Sequence, residues 1–246
     1  MSHEIAIAFD RETRYGLRQP RRGFRYLEAR ALAELASIIP ASPWLLSQPA
    51  GDGRKVVVIP GFLFSDGSTW LLRQYLRYLG YDALPWSMGR NRGEPERDAE
   101  RLLTRLTEGR RDDERMTLIG WSLGGVIARL VARHDPALVD QVITLGTPVE
   151  GGPKYTSAGE IFARKRGIDL DAFERHVHAI NSEGVERPLT VIYSRTDGVV
   201  HWRAAIDRYN AHAKHIRVRS SHLGLGVNPA VWRLIAQTLG RQTDAR

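Results

Sequence analysis

A chain of 246 residues, 42% apolar and 26% charged, is long enough for one α/β domain with a sizeable core. It contains no cysteine, which excludes disulfides, thiolate metal sites and a Cys nucleophile. The net charge is +8 and nearly all of the positive charge is arginine, with lysine only at Lys55, Lys154, Lys165 and Lys214.

Residues 1–23 read as a polar, poorly ordered arm. Ile5 to Phe9 is too short for the apolar core of a signal peptide, and Glu4, Asp10 and Glu12 interrupt it. No apolar stretch reaches the roughly 18–20 residues of a membrane span, so a cytoplasmic protein is expected. Arg11, Arg14, Arg18, Arg21, Arg22 and Arg25 crowd the arm. They offer attraction to an anionic membrane surface, against the blander reading of a solvated face. The aromatic residues are not interleaved with them in any RNA-binding signature, so a nucleic-acid partner is not expected.

A helix is predicted from Tyr26 to Ile39, stopped by Pro40, with Leu27, Ala31, Leu35 and Ile38 on one face. Residues 1–53 thus form an arm and helical extension. From residue 54 to 246, apolar strands alternate with helical patterns. Strands are predicted at Lys55 to Pro60, Tyr81 to Trp86, Arg115 to Trp121, Gln141 to Leu145, Pro188 to Tyr193 and His215 to Arg219. Helices fall at Ser68 to Leu79, Pro95 to Glu108, Leu123 to His134 and, briefly, Arg203 to Tyr209. Asn228 and Pro229 begin the last helix. The alternation implies a mainly parallel central sheet with helices on both faces. Residues 149–187 break the rhythm. Leu170, Phe173, Val177 and Ile180 share one face of a candidate helix there, which reads equally as a lid-like insertion or as an ordinary packed helix.

Gly120-Trp121-Ser122-Leu123-Gly124 carries the strongest chemical signal. It joins an apolar strand to a helix, the setting in which a sharp turn lifts a serine hydroxyl clear of the backbone. Acyl transfer by serine also needs a base, an acid that orients the base, and donors for an oxyanion. His222, past a late strand, is the base candidate, with His201 as its rival. Asp197, past the strand before, is the acid candidate, with Asp207 less favoured because it lies in a helical stretch. The backbone N–H groups of Phe62 and Leu123 are the oxyanion-hole candidates. His176 and His178, two apart on a helix, do not share a face, and His212 and His215 lack a third ligand. No metal and no cofactor are expected.

Taken together, Pro60-Gly61-Phe62, the Gly120 to Gly124 elbow continued by Gly125, Leu145-Gly146-Thr147-Pro148, the Asp197 loop and His222-Leu223-Gly224 resemble the α/β-hydrolase superfamily, on its esterase and lipase side. The resemblance covers roughly Arg54 to Arg241. It implies an α/β-hydrolase fold and a serine hydrolase of carboxylic esters, with Ser122 as nucleophile, Asp197 as orienting acid and His222 as base. A small-molecule or lipid ester is the implied substrate. Lipases often carry His-Gly where this chain has Pro60-Gly61, a departure that touches substrate rather than fold. An acyltransferase or amidase on the same fold, and a non-catalytic membrane-surface protein, are the alternatives. Trp70, Trp86, Trp121, Phe62 and Phe64 are candidates for an apolar acyl pocket.

Overall fold

The computed structural model describes residues 15–108 and 114–243. Short runs rich in Val and Ile form six strands among these residues: β1 (Lys55–Ile59), β2 (Asp82–Pro85), β3 (Met116–Trp121), β4 (Val139–Leu145), β5 (Leu189–Ser194) and β6 (Lys214–Val218). They make one sheet in the order β2-β1-β3-β4-β5-β6, and every neighbouring pair is parallel. β3 and β4 are buried along their whole length, as continuous apolar runs require when both faces are covered. β6 lies at an edge, and its Lys214 and His215 face solvent.

Side-chain alternation divides the core. Val56, Val58, Ile119, Trp121, Ile143 and Leu145 point to one face. There they meet Leu72, Tyr75 and Leu76 of one helix (Trp70–Tyr78) and Trp232, Ile235 and Leu239 of the last (Pro229–Thr243). Val57, Ile59, Leu118, Val142 and Val191 point to the other face. They meet Ala99 and Leu102 of the helix Pro95–Thr107 and Ile127 and Val131 of the helix Leu123–His134. We number the α-helices in chain order: α1 (Arg30–Ala36), α2 (Ile38–Leu46), α3 (Trp70–Tyr78), α4 (Pro95–Thr107), α5 (Leu123–His134), α6 (Gly159–Arg166), α7 (Leu170–Ser182) and α8 (Pro229–Thr243).

Several expectations change. β4 begins two residues before Gln141, because the ladder shifts register between Met116 and Thr117 and takes up the extra residue Asp140 as a bulge. The stretch from Arg203 to Tyr209 forms turns rather than a helix. Asp207 Oδ1 accepts from the backbone N–H of Tyr209 (2.9 Å) and Asn210 (3.1 Å), which competes with helical pairing. Pro40 does not end the N-terminal helix. The chain runs as a 3-10 helix (Arg22–Ala29), then α1, then α2, and Pro40 sits in the first turn of α2, where its missing N–H breaks no bond.

Part of the expected arm is packed. Leu17 is buried among Tyr155, Val200, Ala204 and Ala205, and the Gly16 carbonyl accepts from Arg203 Nη1 at 3.3 Å. Leu17 and Pro20 are therefore packed while Arg18 and Gln19 stay exposed, and Arg11 and Arg14 lie outside the described residues. No described helix is long and apolar enough to cross a membrane.

Candidate active site

The chain enters the sheet at β1, turns outward to β2, then crosses back to β3 on the other side of β1. The connections that leave the carboxyl ends of the paired strands β1 and β3 therefore run in opposite directions, a topological switch point, the place where open parallel sheets bind ligands. The Phe62 loop follows β1 and Ser122 follows β3.

Ser122 adopts φ 54°, ψ −121°, a region that a residue with a side chain seldom occupies. The surrounding glycines are what permit the turn. A Cβ on Gly120 would stand 2.3 Å from Gly125 Cα, one on Gly124 2.3 Å from the Ile59 carbonyl, and one on Gly125 1.9 Å from Thr147 Oγ1. β3 and α5 thus cross at backbone contact, and the first turn of α5 lies against the end of β1. Thr147 Oγ1 donates to the Ser122 carbonyl at 3.0 Å, and Ser122 N–H donates to the Leu145 carbonyl at 2.8 Å. The Gly-Thr-Pro end of β4 therefore clamps the turn from behind.

Asp197 and His222 meet across 25 residues, with His222 Nδ1 2.7 Å from Asp197 Oδ2. The other oxygen, Oδ1, accepts from the N–H groups of Val199 (2.8 Å) and Val200 (2.7 Å), which fixes the carboxylate plane. Gly146, at φ 55°, lets the chain pass directly behind the pair. A Cβ there would stand 3.1 Å from both Asp197 Oδ2 and His222 Nδ1. Trp121 Nε1 donates to the His222 carbonyl at 3.1 Å, tying the histidine loop to the strand that ends in Ser122. Burial opposes charge on His222. The Asp197 charge, its hydrogen bond and the Glu28 charge outweigh that, so the imidazole pKa stands above its ordinary value. No hydrogen bond joins Ser122 Oγ to His222 among the described residues; contacts of this kind tighten in a substrate complex.

The rivals go elsewhere. Asp207 is buried in an ion pair with Arg129. The His201 backbone N–H donates to the Tyr155 carbonyl, and its ring Nδ1 has no partner among the described residues. Burial, then the charges of Arg18 and Arg203, push its pKa down to about 4.

The N–H groups of Phe62 and Leu123 have no intramolecular acceptor among the described residues, and Leu123 is the first residue of α5, where orphan donors and the helix dipole favour negative charge. Gly61 brings this loop close, because a Cβ on it would lie 3.3 Å from Ser122 Cβ. The fully buried Asn91 organises the loop. Its Nδ2 donates to the Pro60 carbonyl (2.9 Å), its backbone carbonyl accepts from Leu63 (2.8 Å), and its N–H donates to the Phe64 carbonyl (2.9 Å). Sequence reading missed Asn91, since Arg90-Asn91-Arg92-Gly93 looks like any polar turn.

A cavity of about 130 Å³ opens beside Ser122, Leu123 and Phe62. Its walls are Val126 on α5, Phe162 on α6, and Phe173, Val177 and Ile180 on α7. The apolar face foreseen in the insertion therefore faces this cavity. Of the aromatic residues expected to shape it, Phe62 does so. Trp86 is core, Trp121 lies between Phe64 and His222 with its ring tilted to both, and Trp70 is half exposed. His176 is exposed, whereas His178 is partly covered and 3.1 Å from the Tyr209 hydroxyl.

An all-parallel sheet covered on both faces, with a strained serine at the end of β3 and an Asp–His pair on the loops after β5 and β6, defines the α/β-hydrolase fold, and this chain has it. A family model described as the PGAP1-like alpha/beta domain matches residues 97–166, the stretch that carries Ser122. No curated protein matches the chain. Among solved structures, a metagenomic carboxyl esterase is 13% identical at a TM-score of 0.61, with 94% of this chain and 94% of that chain covered. A metagenome-derived lipolytic enzyme is 15% identical at 0.59, covering 81% of this chain and 96% of its own. The mouse alpha/beta hydrolase domain-containing protein 10 is 16% identical at 0.58, covering 81% and 93%. At these identities the likeness is one of fold.

Proposed function

We propose that the protein is a serine hydrolase of carboxylic esters, and the observation that carries this is the Asp197–His222 hydrogen bond set beside the Ser122 elbow. His222 Nδ1–H stays on Asp197, which leaves Nε2 to take the Ser122 proton as Oγ attacks the ester carbonyl. The carbonyl oxygen becomes an oxyanion held by the N–H groups of Phe62 and Leu123. His222 then returns the proton to the leaving alcohol. Water, deprotonated by the same histidine, releases the acid and frees Ser122. The apolar cavity that begins at Ser122 favours an acyl group over a charged one. Arg18, Arg21, Arg22 and Arg25 are exposed on the N-terminal segment and favour an anionic membrane surface as the place where a lipid ester is met.

The test is labelling by a fluorophosphonate, alongside hydrolysis of p-nitrophenyl esters of increasing chain length, in the wild type and in Ser122→Ala. Labelling and turnover that vanish in the variant are expected. Turnover that persists in Ser122→Ala would remove the serine mechanism. An added alcohol that intercepts the acyl-enzyme faster than water would move the reading to acyl transfer.

A further inference from the structure

Two carboxylates from the N-terminal segment reach the loops that carry Asp197 and His222, nearly two hundred residues away in the chain. Glu28 Oε1 accepts from the N–H of Gly198 (2.8 Å) and of His222 (2.9 Å), and its Oε2 accepts from Leu223 N–H (2.8 Å). Gly198 follows Asp197 directly, so a single side chain grips the backbone of both loops at the residues that matter. Glu34, buried, holds the strand-proximal side of the histidine loop. Its Oε1 accepts from Ser221 N–H (3.0 Å), and its Oε2 accepts from Ser220 Oγ (2.5 Å) and Asn228 Nδ2 (3.4 Å). Two glycines make room for the segment. A Cβ on Gly198 would lie 2.3 Å from the Phe24 carbonyl, and one on Gly224 would lie 1.6 Å from Glu34 Oε2.

A carboxylate that accepts several backbone N–H bonds is a strong, directional tie, because charge-assisted bonds are roughly twice as strong as neutral ones. Burial of a charge with three donors satisfied is also far less costly than burial of an unpaired one. Here the donors come from two loops that no β-ladder joins at that point. The Nδ1–Oδ2 bond of the catalytic pair therefore has a second, independent restraint on its length and direction.

We propose that Glu28 is a positioning residue for the Asp197–His222 pair, so that the candidate site is incomplete without the N-terminal segment. The proposal rests on the reading of Ser122, Asp197 and His222 as a catalytic set. Glu28 touches no reacting atom. It sets where His222 stands, and its charge adds to the field that favours the imidazolium. The charged groups that face His222 are Asp197, from the loop after β5, and Glu28, from the N-terminal 3-10 helix; Glu34 reaches the Ser221 backbone N–H and the Ser220 hydroxyl, one and two residues upstream.

The experiment measures kcat, KM and the acid limb of the pH–rate profile for p-nitrophenyl butyrate, together with fluorophosphonate labelling, in full-length wild type, Ser122→Ala, Glu28→Gln, Glu28→Asp and Glu34→Gln. Circular dichroism and thermal unfolding are read on each. In Glu28→Gln the amide oxygen can still bridge Gly198 and His222, but an NH2 donor replaces the oxygen that accepts from Leu223 N–H, and the negative charge is gone. We expect kcat to fall about tenfold with KM little changed, and the acid limb to move to lower pH, because His222⁺ loses a favourable charge. Glu28→Asp keeps the charge with a shorter reach, so the limb should stay near that of the wild type while kcat falls. Glu34→Gln should lower the unfolding temperature without moving the limb. A Glu28→Gln protein that unfolds earlier but keeps the wild-type kcat and limb would overturn the proposal and leave Glu28 a structural cap. If Glu28→Gln does not fold, a wild-type kcat in Glu28→Asp would overturn it equally. Wild type that is neither labelled nor active would instead sink the catalytic reading itself, and the proposal with it.

Discussion

At Ser122 the backbone stands at φ 54°, ψ −121°, and a side chain in such a conformation costs on the order of 1–3 kcal/mol. The surrounding contacts hold it there: Thr147 and Gly125 bond its carbonyl, and the Leu145 carbonyl accepts from its N–H. Ser122→Gly should therefore abolish ester turnover while raising stability by about 1 kcal/mol, since glycine tolerates this φ and its extra chain entropy offsets only part of the relief. Urea unfolding of the two proteins decides it, and a destabilised glycine variant would mean that the turn carries no strain. Asn91 is the other single residue on which the site leans. Asn91→Ala removes the donor that holds the Pro60 carbonyl and loosens the loop that aims Phe62 N–H. The expected result is a loss of about 10- to 100-fold in kcat with KM nearly constant, as for a weakened oxyanion donor. Steady-state kinetics on a p-nitrophenyl ester would show whether KM moves instead.

At the scale of elements, a buried polar knot ties α5 both to the loop between β5 and β6 and to α7 in the insertion between β4 and β5. Arg129 on α5 pairs with Asp207 and bonds Asn181 on α7 at 3.4 Å, and Asn210 Nδ2 donates to Asp207 at 2.8 Å. Both charges are almost wholly out of solvent. Removing one partner of such a pair leaves the other charged and unpaired, which costs about 3–5 kcal/mol. Asp207→Asn should lower the unfolding free energy by that order in urea while leaving Asp197 bonded to His222. A loss of catalysis with unchanged stability would be the opposite result, and would return Asp207 to the role of acid. The elements themselves were legible where local patterning decides them. β1, β3 and α5 fall where apolar runs and helical spacing place them. The turns at 203–209 were not, because Asp207 spends its side chain on backbone donors and on Arg129, a partner 78 residues away.

For the whole molecule, acid stability has an identifiable contributor. Burial, then the charges of Arg18 and Arg203, hold His201 near a pKa of about 4, against an ordinary value of 6.5. The folded protein thus leaves His201 neutral where the unfolded chain protonates it. Stability from this group is complete above about pH 6.5 and is lost as pH falls from there towards about 4. His201→Asn should flatten the decline of the unfolding temperature across that window. Equal slopes in the two proteins would show that other groups govern it.

Composition and order along the chain were enough for the class of fold, because a sheet buried on both faces writes its strands as continuous apolar runs. The glycine–serine turn was equally plain, since its steric demands are local and admit few residues. Ser122, Asp197, His222, Phe62 and Leu123 could be nominated from their positions after strands. Tertiary structure alone sets Asp197 rather than Asp207 against His222, and places His201 elsewhere, because that pairing is a matter of distances between loops far apart in the chain. It also decided the contacts of Asn91, Glu28 and Glu34, and the burial of Leu17 in what reads as a polar arm. Each of these residues acts through a contact with a distant backbone, and nothing in its immediate neighbours along the sequence announces that contact.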